Sequence, residues 1–158
     1  RSIVQGMRID IEAKMTGTFS GDDYCALLTK GSFATGFRVL IREDCRLLFQ
    51  FAGINEGSPL WLHSEDPLPL DEWLAIHLTY RPPADGVPGE ATIRFGDVAQ
   101  GKVSVPIAMP VSAAVIGLGC EFTNPLTGPT GKRRPNFPGV IRSFAIRTLA
   151  STAEPRDR

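Results

Sequence analysis

The chain is poor in long apolar runs, in net charge, in histidine and in paired cysteines, and each shortage removes a class of function. No apolar run approaches the ~20 residues of a membrane-spanning helix, so no membrane insertion is expected. Lys plus Arg number 17 and Asp plus Glu number 17, which leaves no overall basic footprint for nucleic acid. The one local cluster, Lys132-Arg133-Arg134, sits among Pro and Gly and reads as a solvated loop. Two His, and Cys residues without a Cys-x-x-Cys spacing, argue against structural zinc. The three cysteines, Cys25, Cys45 and Cys120, are an odd number and cannot all pair within the chain. Cys25 and Cys45 lie on or beside neighbouring predicted strands, where a disulfide would suit an oxidising compartment; three buried thiols acting as small hydrophobes is the alternative. Helical periodicity is also missing, since no ten-residue window keeps it.

What the chain has is a succession of short strand signals. Met7 to Met15 alternates strictly, with Met7, Ile9, Ile11, Ala13 and Met15 on one face and Arg8, Asp10, Glu12 and Lys14 on the other. That is a strand with one wet side. Tyr24 to Lys30 follows, then Gly36 to Arg42 and Cys45 to Ala52, joined tightly through Glu43-Asp44 as a hairpin. Leu60-Trp61-Leu62-His63 comes next, and Pro67 and Pro69 impose an extended approach to Asp71-Glu72. Trp73 to Tyr80 is the most apolar strand and places Trp73 in the core. Ala91 to Phe95, Lys102 to Val105 at an edge, Val115 to Gly119 and Gly139 to Thr148 complete about ten strands. Evenly spaced strands without helices predict an all-β, two-sheet antiparallel β-sandwich or jelly roll, with the last strand returning to the middle of a sheet. One domain over residues 1–149 is expected, with a polar, Pro-containing tail or linker over 150–158. A start at Arg1 rather than Met, and that tail, suggest a module of a longer protein.

The order of these segments resembles the concanavalin A-like lectin/glucanase superfamily, in particular its laminin G-like and pentraxin-like jelly rolls. The resemblance rests on Leu68-Pro69-Leu70-Asp71-Glu72-Trp73 opening a strand that ends at Tyr80, on Val115-Ile116-Gly117, and on Phe137-Pro138-Gly139-Val140-Ile141. Trp73, Tyr80, Gly117, Gly139 and Ile141 match the family's positions, over about Met7 to Leu149. It implies a fold more than an activity. It also implies calcium as the candidate cofactor, held by loop oxygens; Asp22, Asp23, Asp97 and Asn124 are the residues that can supply them if their loops converge. The same residue types favour turns for local reasons.

Two further readings concern sugar. Trp61 in a polar loop-and-strand region can stack on a sugar ring, with Asn55, Glu56 and His63 as polar partners; capping the sandwich edge is the equal alternative. Arg8-Ile9-Asp10-Ile11-Glu12 resembles the carboxylate strand of laminarinase-like glycosidases, because residues two apart share a face and retaining hydrolysis needs two carboxyls. Arg8 stands where that motif has its first carboxylate, and alternation alone yields such a strand. The expected function is therefore a non-catalytic binding module for carbohydrate or an extracellular partner. A polysaccharide-active enzyme of the glucanase type and a purely structural interaction domain are the alternatives. An extracellular or periplasmic location goes with this reading.

Overall fold

The computed structural model describes residues 5–19, 24–32, 35–51, 59–112, 116–119 and 136–149. Ten strands account for most of them: β1 (Met7–Met15), β2 (Tyr24–Ser32), β3 (Thr35–Arg42), β4 (Arg46–Phe51), β5 (Leu60–Pro67), β6 (Trp73–Arg81), β7 (Gly89–Phe95), β8 (Val98–Val105), β9 (Ile116–Leu118) and β10 (Gly139–Thr148). They form two antiparallel five-stranded sheets, ordered β10-β1-β6-β7-β8 and β5-β4-β3-β2-β9. The chain is a two-sheet β-sandwich of jelly-roll type. Among the described residues there is no helix, and so none long and apolar enough to cross a membrane.

The core lies between the sheets and follows strand parity. Met7, Ile9, Ile11, Ala13 and Met15 of β1 and Ile76, Leu78 and Tyr80 of β6 point inward. They meet Phe37, Val39 and Ile41 of β3 and Leu47, Phe49 and Phe51 of β4. Ring contacts run from Phe37 to Phe49 (6.3 Å) and Phe49 to Phe51 (5.2 Å), then cross between the sheets from Phe51 to Tyr80 (5.5 Å). Tilted and edge-on pairs at such distances add to the burial of the rings themselves. The Tyr80 hydroxyl accepts the Met109 backbone N–H at 2.7 Å, which ties the segment after β8 to the core.

Two bulges shape the first sheet. β10 carries one extra residue, Arg142, between its pairings Glu12↔Ser143 and Ala13↔Ile141. β8 carries an extra Gln100 between Ile93↔Gly101 and Arg94↔Ala99. A bulge re-aims a side chain, and both do so here. Gln100 turns its amide to β5 of the other sheet, accepting from Asp66 N (2.8 Å) and donating to Asp66 Oδ2 (3.0 Å). Gly101 beside it lets β5 approach: a Cβ there would lie 2.8 Å from the His63 carbonyl oxygen.

Two expectations are corrected. β10 is an edge strand hydrogen-bonded to β1, and β1, paired with β10 on one edge and β6 on the other, separates it from β6. Trp73 is not in the core: its ring is 38% exposed on the outer face of the first sheet. The turn at Asp71, whose φ is +59° and whose N–H donates to the Met15 carbonyl at 2.7 Å, sets the register of β6. Ile76, Leu78 and Tyr80 then occupy the inward positions, and a residue of opposite parity must face out. Cys25 and Cys45 are free thiols. Cys120 lies outside the described residues.

Candidate binding site

The site is assembled on the outer face of the second sheet. Along β5, Leu62 and Ser64 point inward and are buried, so Trp61 and His63 point outward. Ser64 secures that register by accepting the Leu47 N–H at 3.0 Å and donating to the Asp66 carbonyl at 2.7 Å. Cross-strand pairing then aligns Trp61 with Gln50 of β4 and Arg38 of β3, and His63 with Leu48 and Leu40. Ala26, Leu40 and Leu48 form an apolar patch on this face, with Tyr24 packed against it.

Trp61 is 40% exposed, and its ring centroid lies 6.3 Å from that of Tyr24, tilted by 59°. β5 and β2 are separated by β4 and β3. At about 4.8 Å per strand their backbones are about 14 Å apart. The two side chains therefore lie over the sheet and converge above the Leu40/Leu48 patch. The result is a half-open aromatic pair with an apolar floor and polar groups in the row behind.

Gln50 is the unusual member of that row. It is 2% exposed, and neither its Nε2 nor its Oε1 has a hydrogen-bond partner among the described residues. Buried amides are normally satisfied, and one left open costs roughly 1–3 kcal/mol for the desolvated group. A donor and an acceptor side by side on one amide suit a pair of vicinal hydroxyls. His63, two residues along β5 from Trp61 and opposite Leu48, shares this outward face. Burial first, then the nearby positive charge of Arg42, lowers its pKa, against an opposing pull from Asp44. The imidazole is therefore neutral at neutral pH and offers one donor and one acceptor. Asp44 is held by Arg46 (Nη1 to Oδ2 3.1 Å) and faces Arg42 Nε at 3.7 Å.

The structure brings Trp61 and His63 to one face. Asn55 and Glu56, expected beside them, lie outside the described residues. Of the residues expected to hold calcium, Asp22, Asp23 and Asn124 also lie outside them. Asp97 sits in the exposed turn between β7 and β8, where its carbonyl oxygen accepts from Arg94 Nη2. No cluster of three His, Cys, Asp or Glu side chains able to hold a metal ion occurs among the described residues.

The strand carboxylates Asp10 and Glu12 do share the outer face of the first sheet, but both are engaged. Asp10 accepts from Arg8 Nε (2.7 Å), from the His77 Nδ1–H (2.6 Å) and from Arg147 Nη1 (3.0 Å), and Glu12 accepts from Arg142 Nη1 (2.8 Å). Burial pushes the Asp10 carboxyl up, yet the hydrogen bonds and charges of Arg8 and His77 outweigh it and hold the group below its ordinary value. A glycosidase general acid needs the opposite shift.

Sequence reasoning missed Gln50 and Tyr24. The signal for Gln50 was available: a single amide inside Leu47-Leu48-Phe49-Gln50-Phe51, on a strand apolar on both faces. Tyr24 gave no such signal, because its meeting with Trp61 depends on the curl of the sheet.

No family model matches the chain, and no curated protein sequence matches it. Solved structures do. The chain is similar to a heptameric SAP-like pentraxin from Limulus polyphemus (TM-score 0.60, 11% identity, 93% of this chain and 66% of that one). It is similar to domains LG4-5 of the mouse laminin α1 chain (TM-score 0.66, 12% identity, 97% of this chain and 40% of that one). It is also similar to the CBM40 of a Ruminococcus gnavus IT-sialidase bound to α2,6 sialyllactose (TM-score 0.61, 13% identity, 94% of this chain and 80% of that one). The first two relatives are thus considerably longer than this chain. At these identities the likeness is one of fold alone, that of a two-sheet β-sandwich of jelly-roll type.

Proposed function

We propose that this domain is a non-catalytic binding module that recognises carbohydrate on the outer face of its β5-β4-β3-β2-β9 sheet. The observation that carries the reading is the half-exposed Trp61 ring set against Tyr24 beside the open, buried amide of Gln50. Sugar recognition needs an apolar platform for the C–H face of a pyranose and a few fixed polar groups for its hydroxyls. Trp61 and Tyr24 supply the platform; Gln50 and neutral His63 supply the polar groups. The sialyllactose-bound sialidase module of the same fold supports the reading, as does the engagement of Asp10 and Glu12 by arginines. A secreted or cell-surface location belongs to the same proposal.

The test is a glycan array and affinity gel electrophoresis of the domain beside its Trp61→Ala and His63→Ala variants, with thermal melts as folding controls. Retained folding with lost binding is the expected result. An absence of binding to every sugar, or binding indifferent to Trp61, refutes the proposal.

A further inference from the structure

A cavity of about 340 Å³ opens between the two sheets, at the end where β1 begins and β10 ends. Met7 of β1 and Phe37 of β3, 5% and 4% exposed, form its inner walls. Ile146 of β10 and Val111, the latter 50% exposed, line it nearer to solvent. None of its lining residues belongs to the Trp61 face.

Lys30 is the unexpected member of this lining. Residues directly opposite each other on an antiparallel pair share a face, and Lys30 stands opposite the core residue Phe37. Strand parity therefore puts a lysine on the inner face of the sandwich, at the open end of an apolar space. Its stem can lie along that space, but its charge is stable there only at the water boundary or against an anion. Lys30 is half-buried and already interacts with a neighbour; an ammonium carries three donors, so one partner does not exhaust it. Two glycines next to Lys30 shape the cavity. Gly31 and Gly36 pair across β2 and β3 with φ of +98° and +84°, and a Cβ on Gly31 would lie 2.7 Å from Ser112 Oγ. Their bareness admits the Val111-Ser112 segment against the hairpin, where it closes one side. Arg147 also touches the rim, with its guanidinium held by Asp10 at 3.0 Å. No carboxylate lines the cavity among the described residues.

We propose that this cavity binds a medium-chain aliphatic monocarboxylate, with its hydrocarbon between Met7, Phe37 and Ile146 and its carboxylate on Lys30 at the mouth. The volume falls at the lower end of the roughly 300–1,000 Å³ of small-molecule sites, which are mostly apolar with few polar groups. Burial of the chain supplies the affinity. The charge-assisted bond to Lys30 supplies orientation and the choice of head group. An uncharged alcohol of the same length gains the first contribution alone, and an amine meets Lys30 as a like charge.

Calorimetric titration of the domain with butanoate, hexanoate and octanoate tests the chain; octanol and octylamine test the head group. Affinity is expected to rise about three- to fourfold with each added methylene, and octanoate to bind more tightly than octanol and far more tightly than octylamine. These comparisons use the parent protein and need no variant to fold. Lys30→Gln is expected to weaken octanoate roughly tenfold and leave octanol unchanged. Val111→Trp, at a half-exposed position, fills the mouth and is expected to abolish both; Trp61→Ala is expected to change neither. Thermal melts check that each variant folds. The inference is overturned if octanoate does not bind, if affinity is flat along the chain-length series, or if octanol or octylamine binds as tightly as octanoate. It is equally overturned if Lys30→Gln or Val111→Trp, melting near the parent temperature, binds octanoate as the parent does.

Discussion

Replacing Gln50 by Met should stabilise the domain while weakening it as a binder. The side chain is almost fully buried, and both atoms of its amide are without a hydrogen-bond partner among the described residues. In the unfolded chain that amide is hydrated, so folding desolvates a donor and an acceptor with no return. Each such group costs roughly 1–3 kcal/mol. Met has a similar length and volume and no polar atom to desolvate, so it leaves neither a cavity nor an overpacked site. Allowing for part of the amide's cost being relieved by local relaxation, the expected gain is about 2 kcal/mol. At roughly 2–4 °C per kcal/mol for a domain of this size, the melting temperature should rise by roughly 4–8 °C. Calorimetric or circular-dichroism melts measure it, and affinity gels with a bound glycan measure the loss of hydroxyl recognition. A variant that melts several degrees lower would show that the amide is hydrogen-bonded in the folded protein, and the argument for a polar ligand at this position would fail with it.

Four other outcomes are expected. Tyr80→Phe leaves the buried Met109 N–H without its acceptor and should lower stability by about 1–3 kcal/mol, read from the urea midpoint. Asp10, held below its ordinary value of 3.8, contributes stability that is complete above that value and is lost as pH falls through the lower folded one. Asp10→Asn should therefore flatten the decline in stability below about pH 4, measured by urea titrations across that range. The Cys25 thiol is pushed up to about 12, mainly by burial, so it should resist iodoacetamide in the native protein at mildly alkaline pH and react once urea is added, as followed by mass spectrometry. Gly139→Ala would set a Cβ 2.2 Å from the Lys14 carbonyl oxygen and 2.8 Å from the Phe137 ring; the β1–β10 pairing must shift, and a loss of more than about 2 kcal/mol is expected in the same urea assay.

Much of the architecture was legible because strand parity is a local property. The alternation from Met7 to Met15 marked both faces of β1, and Gly139 to Thr148 matches β10 to the residue. The glycine in Phe137-Pro138-Gly139 has a physical reason: β10 begins where its backbone runs against β1 too closely for any side chain. Trp73 lies outside the core because the parity of Ile76, Leu78 and Tyr80 puts it on the outer face, a parity that the apolar character of the segment from Trp73 to Tyr80 hides. The neighbour order of β10 was not legible, since pairing partners are chosen by contacts distant in sequence. Of the candidate site, Trp61 and His63 could be read from their alternation with Leu62. Gln50 stands out locally as the lone amide of an apolar strand, but its place beside Trp61 depends on register, and Tyr24 joins them only through register across three strands and the curl of the sheet.

The first and last strands are hydrogen-bonded neighbours running in opposite directions. Met7 sits opposite Thr148, and Leu149 N–H donates to the Gly6 carbonyl at 2.7 Å. Polypeptide therefore enters and leaves the sandwich through one doorway. A domain with this exit geometry can be spliced into a loop of a host protein without prying the loop apart. Tension applied between the two ends would load the β1–β10 ladder one rung at a time, like a zipper pulled from its open end, so the module yields to stretching at the very seam that makes it portable.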